Sequence, residues 1–112
     1  MRSRSQVLLW GAQRASAAVL AVCVLVHLVT IVYATRNGLS AAEILGRTRD
    51  SSLWLAFYLA FVAAVAVHAP IGLRALVSEA TGWRGRTLDL CILFTGLLLA
   101  AWGVRAVWSV FA

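Results

Sequence analysis

The chain has two histidines, and both stand inside long apolar runs. His27 lies in the second half of ASAAVLAVCVLVHLVTIVYA, residues 15–34, and His68 near the end of LWLAFYLAFVAAVAVHAPIGL, residues 53–73. An ionisable side chain in hydrocarbon is costly unless partnered, so each imidazole marks a functional site until shown otherwise. Imidazole is also the commonest metal-ligating side chain, with haem iron among its targets.

The neighbours of each histidine narrow that chemistry. At 100° per residue, Ser16, Cys23, His27 and Thr30 share one stripe of an otherwise aliphatic helix. Such a stripe points towards protein or a cofactor, not lipid. The plainer reading is a hydrogen-bonded seam between helices, with Ser16 and Thr30 bonding their own backbone. On the second run, Trp54, Phe57, Phe61, Ala64 and Gly72 share the face of His68. Rings and small residues there suggest a flat apolar slot fit for a porphyrin, and the plainer alternative is an aromatic packing face. Pro70 removes a helical N–H and is expected to bend the helix near His68.

The elements that position these residues follow from composition. Of 112 residues, 62% are apolar and only 14 are charged, which excludes an ordinary soluble domain. A span needs about 20 apolar residues. Three segments approach this, the third running from Leu90 to Val104 and on through Arg105. The expected fold is all-α, an integral membrane protein of three transmembrane helices within a larger bundle completed by a partner subunit or a second copy. The spans are placed at about 14–35, 52–76 and 88–110, with a surface loop or short helix at 36–51 and an inner loop at 77–87. The first run exceeds a signal-peptide core and reads as a retained helix.

All ten cationic residues are arginine, and they gather at segment ends. This is an interfacial distribution and gives no reason to expect nucleic acid. With the N-terminus inside, six fall on the inner side and four on the outer, which favours a cytoplasmic N-terminus. An uncleaved, compact, lysine-free chain suggests a bacterial inner membrane. Trp10, Trp54, Trp83 and Trp108 near span ends match an aromatic belt. In the first connector, Ser40 and Glu43 have capping-box spacing and Gly46 offers a stop. Gly96, Ala100 and Gly103 form a small-residue stripe for close packing, and Asp89 is available to a polar site at the interface. Cys23 and Cys91 have no CxxC spacing and read as packing residues.

If Arg14 and Arg74 mark the same surface, His27 and His68 lie roughly 20 Å and 9 Å deep. A gap near 10 Å precludes one shared iron, so the chain is expected to provide half of a site, or half of each of two.

The segment His68-Ala69-Pro70-Ile71-Gly72-Leu73-Arg74 resembles the H-x-x-x-G-[IL]-R signature of the cytochrome b membrane-anchor subunits of succinate dehydrogenase and fumarate reductase, with Glu79 for the usual aspartate. Gln13-Arg14-Ala15-Ser16-Ala17 is similar to the second half of the family's S-x-x-H-R-x-[ST]-G motif. Gln13 replaces its histidine, Ala17 its glycine and Trp10 its upstream serine. The resemblance implies haem b ligation by His68, with Arg74 and the Trp83–Arg86 loop available to haem propionates or the partner subunit. It implies Arg14 and Ser16 as candidates to bind quinone. Members with two haems leave His27 as ligand to a second iron. The implied partners are an iron–sulfur subunit, a flavoprotein subunit and a second membrane anchor or second copy, with succinate oxidised on another chain. Two alternatives stand beside it: a haem b anchor of a hydrogenase or formate dehydrogenase, and a haem-free membrane assembly protein.

Overall fold

A computed structural model describes residues 3–112, which form four helices: α1 (Arg4–Arg36), α2 (Ala41–Thr48), α3 (Ser52–Thr81) and α4 (Arg86–Phe111). Helix α1 begins at Arg4 rather than near residue 14. Ser3 and Gln6 form a reciprocal capping box, each side chain accepting from the other's backbone N–H, and this nucleates the helix ahead of its apolar run.

The connectors are tighter than expected. Ser40 caps α2 by accepting from the Glu43 N–H at 3.2 Å, but Gly46 does not end the helix. Helix α2 continues to Thr48, where its end is docked on α4. The Thr48 hydroxyl donates to the Val110 carbonyl at 2.8 Å, and the Asp50 N–H donates to the Phe111 carbonyl at 3.1 Å. Both acceptors belong to the last turn of α4, whose carbonyls have no intrahelical donor. Tertiary bonding thus overrides the glycine signal. At the other end of the bundle, α3 continues past residue 76 to Thr81 and stops at Gly82, whose φ of 73° makes the left-handed cap that glycine adopts without strain.

Helix α3 is the spine. It packs antiparallel against α1 on one side and α4 on the other, while α1 and α4 share at most a marginal contact. Close approach to α4 depends on the small-residue stripe: a Cβ on Gly103 would sit 2.5 Å from Val62 Cγ1, and one on Gly96 would sit 3.1 Å from Pro70 Cγ. Helix α3 runs unbroken through Pro70, which is buried.

Little apolar surface is hidden. Among the described residues the buried apolar side chains are Cys23, Ala64, Pro70, Leu88 and Val107, whereas Leu25, Phe94 and Trp102 are more than half exposed. Cys91, expected to pack, is exposed on α4, while Cys23 is buried against the bundle. Three helices of 33, 30 and 26 residues, each apolar enough to cross a bilayer and each turning its aliphatic faces outward, make this an all-α, multi-pass membrane protein.

Candidate functional site

The polar stripe of α1 faces α3. Ser16 and Cys23 are buried, and His27 and Thr30 are partly so. Ser16 Oγ lies 3.4 Å from His68 Nδ1, and His27 Nδ1 lies 3.2 Å from the Tyr58 hydroxyl. Gln13 comes against Gly72, where an added Cβ would sit 3.2 Å from Gln13 Nε2. These three contacts define one antiparallel register between α1 and α3.

That register corrects the depth estimate. With Ser16 level with His68 and Gln13 against Gly72, Arg74 falls opposite residues 10–11 of α1, so the two arginines line one cavity but are offset by roughly 5 Å along the helix axis. His68 is level with Ser16, and His27 is eleven residues further along α1, which is about 16 Å at helical rise. The gap exceeds the sequence estimate, and one iron bound by both histidines is excluded more firmly.

The aromatic slot also moves. The imidazole of His27 meets the rings of Tyr58 and Phe61 edge-on, each with centroids 5.7 Å apart. Trp54 stacks on Tyr58, and Phe57 adjoins both Tyr58 and Phe61. Trp54 shares a helical face with His68 but stands about 21 Å away along the axis, fourteen residues at 1.5 Å each. The ring cluster therefore surrounds His27 rather than His68. Tyr58 was missed from sequence. Its signal is the aromatic spacing Trp54–Tyr58–Phe61, whereas the helical wheel groups Trp54, Phe57 and Phe61 with the histidine on the same helix and leaves Tyr58 out.

Two apolar cavities adjoin His27. One of about 640 Å³ is bounded by Phe61, Val62, Leu99, Trp102 and Val107. Another of about 340 Å³ is bounded by Tyr33, Leu39, Arg47 and Trp54. Both fall in the size range of cofactor pockets, about 300–1,000 Å³. At the other end, a cavity of about 550 Å³ is lined by Trp10, Gln13, Arg14, Ile71 and Arg74.

The remaining candidates divide. Arg14 is exposed, its guanidinium 4.8 Å from the Trp10 ring centroid, while Ser16 turns into the seam. The two are not brought onto one face. Arg74 binds Asp89 through Nε at 2.7 Å, which leaves its other N–H groups free for an anionic partner. Gln13 Oε1 is buried without a hydrogen-bond partner.

For haem the fit test is the donor set. Each histidine has Nδ1 in hydrogen-bond reach of a hydroxyl, the usual second contact of a ligating imidazole, so Nε2 is the atom left for iron. The chain contains no third histidine, and the described residues hold no cluster of three metal-binding side chains. The donor set would hold a haem iron through one imidazole at each level, and this chain has no further histidine to add to either. The plainer seam reading is also realised in part: Ser16 donates to Gln13 O at 3.0 Å and Thr30 to His27 O at 2.7 Å.

Fold and seam together define a three-span membrane subunit with one imidazole at each of two depths. The family model for the succinate dehydrogenase/fumarate reductase transmembrane subunit matches residues 1–104, and the chain belongs to that family. No curated protein and no solved structure matches the chain significantly.

Proposed function

We propose that this subunit anchors a succinate:quinone or quinol:fumarate oxidoreductase in a bacterial inner membrane, with its N-terminus cytoplasmic. It binds haem b and quinone, and electrons pass through it between an iron–sulfur subunit and the membrane quinone. Haem, when bound, supplies a one-electron relay. His68 holds the iron nearer the N-terminal end of α1, with Arg74 placed towards a propionate. His27 serves a second iron, bordered by the Tyr58–Phe61 cluster. A second anchor or second copy supplies the opposing ligands, and the dicarboxylate is handled on a flavoprotein subunit.

At the quinone site, Arg14 is the cation offered to a carbonyl oxygen. Ser16 lies two residues further along, on the seam, and its hydroxyl would donate to a quinone carbonyl only by releasing the Gln13 carbonyl.

One observation carries this reading in a chain of this family: two imidazoles on one helix seam, about 16 Å apart along it. The test is haem content per purified complex. Two haems in the wild type, with one lost in His68→Ala and the other in His27→Ala, support the proposal. One haem, lost in His68→Ala and unaffected by His27→Ala, removes His27 from it. Absence of haem from the intact complex favours the alternative, a haem-free anchor whose histidines serve only as the hydrogen-bonded seam.

A further inference from the structure

We propose that Ser16 is a positioning residue for His68, holding its imidazole in the tautomer protonated at Nδ1 so that the Nε2 lone pair is free for iron. The inference rests on the haem reading above.

The argument is a proton count. A serine hydroxyl carries one proton and can accept through its lone pairs. The proton of Ser16 is committed to the Gln13 carbonyl, 3.0 Å away, because a carbonyl oxygen only accepts. The contact of 3.4 Å between Ser16 Oγ and His68 Nδ1 then has one polarity: Nδ1–H donates and the hydroxyl accepts. A neutral imidazole has a single N–H, so Nε2 is bare. Ser16 is only 7% exposed, so water does not compete readily for the hydroxyl.

The partner of His27 imposes no such order. The Tyr58 hydroxyl has no second hydrogen-bond partner among the described residues, so the phenol either donates to Nδ1 or accepts from it. If it donates, the imidazole proton sits on Nε2 and blocks ligation. Ser16 therefore sets His68 for iron before haem arrives, while the partner of His27 leaves its tautomer open.

A hydrogen bond from Nδ1–H makes the ligand more basic and favours ferric over ferrous iron. Removing the acceptor in Ser16→Ala is expected to raise the midpoint potential of the His68 haem and lower haem affinity about 10- to 100-fold. Ser16→Thr retains the hydroxyl and restores both. If Ser16→Ala does not assemble, Ser16→Cys, with its weaker sulfur acceptor, is expected to give a smaller shift in the same direction. The measurement is a potentiometric titration of the haem band in the purified complex, with ¹⁵N-histidine NMR of the haem-free complex reading the tautomer. An unchanged potential in a fully loaded Ser16→Ala complex, or a proton on Nε2 of His68 in the haem-free wild type, overturns the assignment and leaves the haem reading intact. A wild-type complex without haem overturns both.

Discussion

The Tyr58 hydroxyl meets Nδ1 of His27 at 3.2 Å, on the same seam where Ser16 meets His68 but about 16 Å further along α1. Tyr58→Phe removes this partner. Leaving a shielded polar group unpaired costs about 1–3 kcal/mol. The expected result is a lower unfolding temperature for the detergent-solubilised complex, with the spectrum of the His68 haem unchanged. An unaltered unfolding temperature shows that the imidazole does not depend on Tyr58.

Gly103 and Val62 give a packing test independent of any cofactor. A Cβ at Gly103 would meet Val62 Cγ1 at 2.5 Å, so Gly103→Ala must push α4 away from α3. Overpacking of this kind costs about 1–3 kcal/mol. Adding Val62→Ala is expected to recover most of the loss, read as the yield and thermal stability of folded complex. No recovery in the double variant locates the strain elsewhere.

Arg74 and Asp89 separate stability from function. Their side chains are 39% and 55% exposed, so the ion pair contributes little, under about 1 kcal/mol after solvent screening. Asp89→Asn is expected to leave the unfolding temperature nearly unchanged. Arg74→Gln is expected to shift the potential of the His68 haem, because it removes a cation placed towards a propionate. Equal, small effects of both substitutions on the potential remove Arg74 from the haem site.

Arg14 is exposed and forms no ion pair among the described residues, its guanidinium lying over the Trp10 ring. Arg14→Leu is expected to cut quinone reduction by the complex at least tenfold while haem content stays at the wild-type value. Wild-type quinone reductase rates in Arg14→Leu exclude it from the quinone site.

The helices and their facing directions were legible in the sequence because both follow from local periodicity. The stripe of Ser16, Cys23, His27 and Thr30 does turn towards α3, and the Gly96–Gly103 stripe of α4 does admit α3. Height along the bundle was not legible. A helical wheel gives azimuth only, so Trp54 and Phe57 were joined to His68 although they stand at the level of His27. Arginines were poor depth markers for a related reason: a long aliphatic stem lets the guanidinium reach the interface from backbone at several levels. The register is set by long-range contacts such as Gln13 on Gly72 and Ser16 on His68, which no single segment encodes. The end of α2 at Thr48 was hidden likewise, since its determinants are carbonyls of α4.

The account stands most directly on whether succinate reduces a haem that His68 holds. In membranes containing the assembled complex, adding succinate to the wild type is expected to produce a reduced b-type α band. The share of that band due to the His68 haem is expected to disappear in His68→Ala, leaving at most that of the His27 haem, and the full band is expected to persist in His68-containing variants such as Arg74→Gln. A succinate-reduced band of full height in an assembled His68→Ala complex, or no such band in the wild type, contradicts the account.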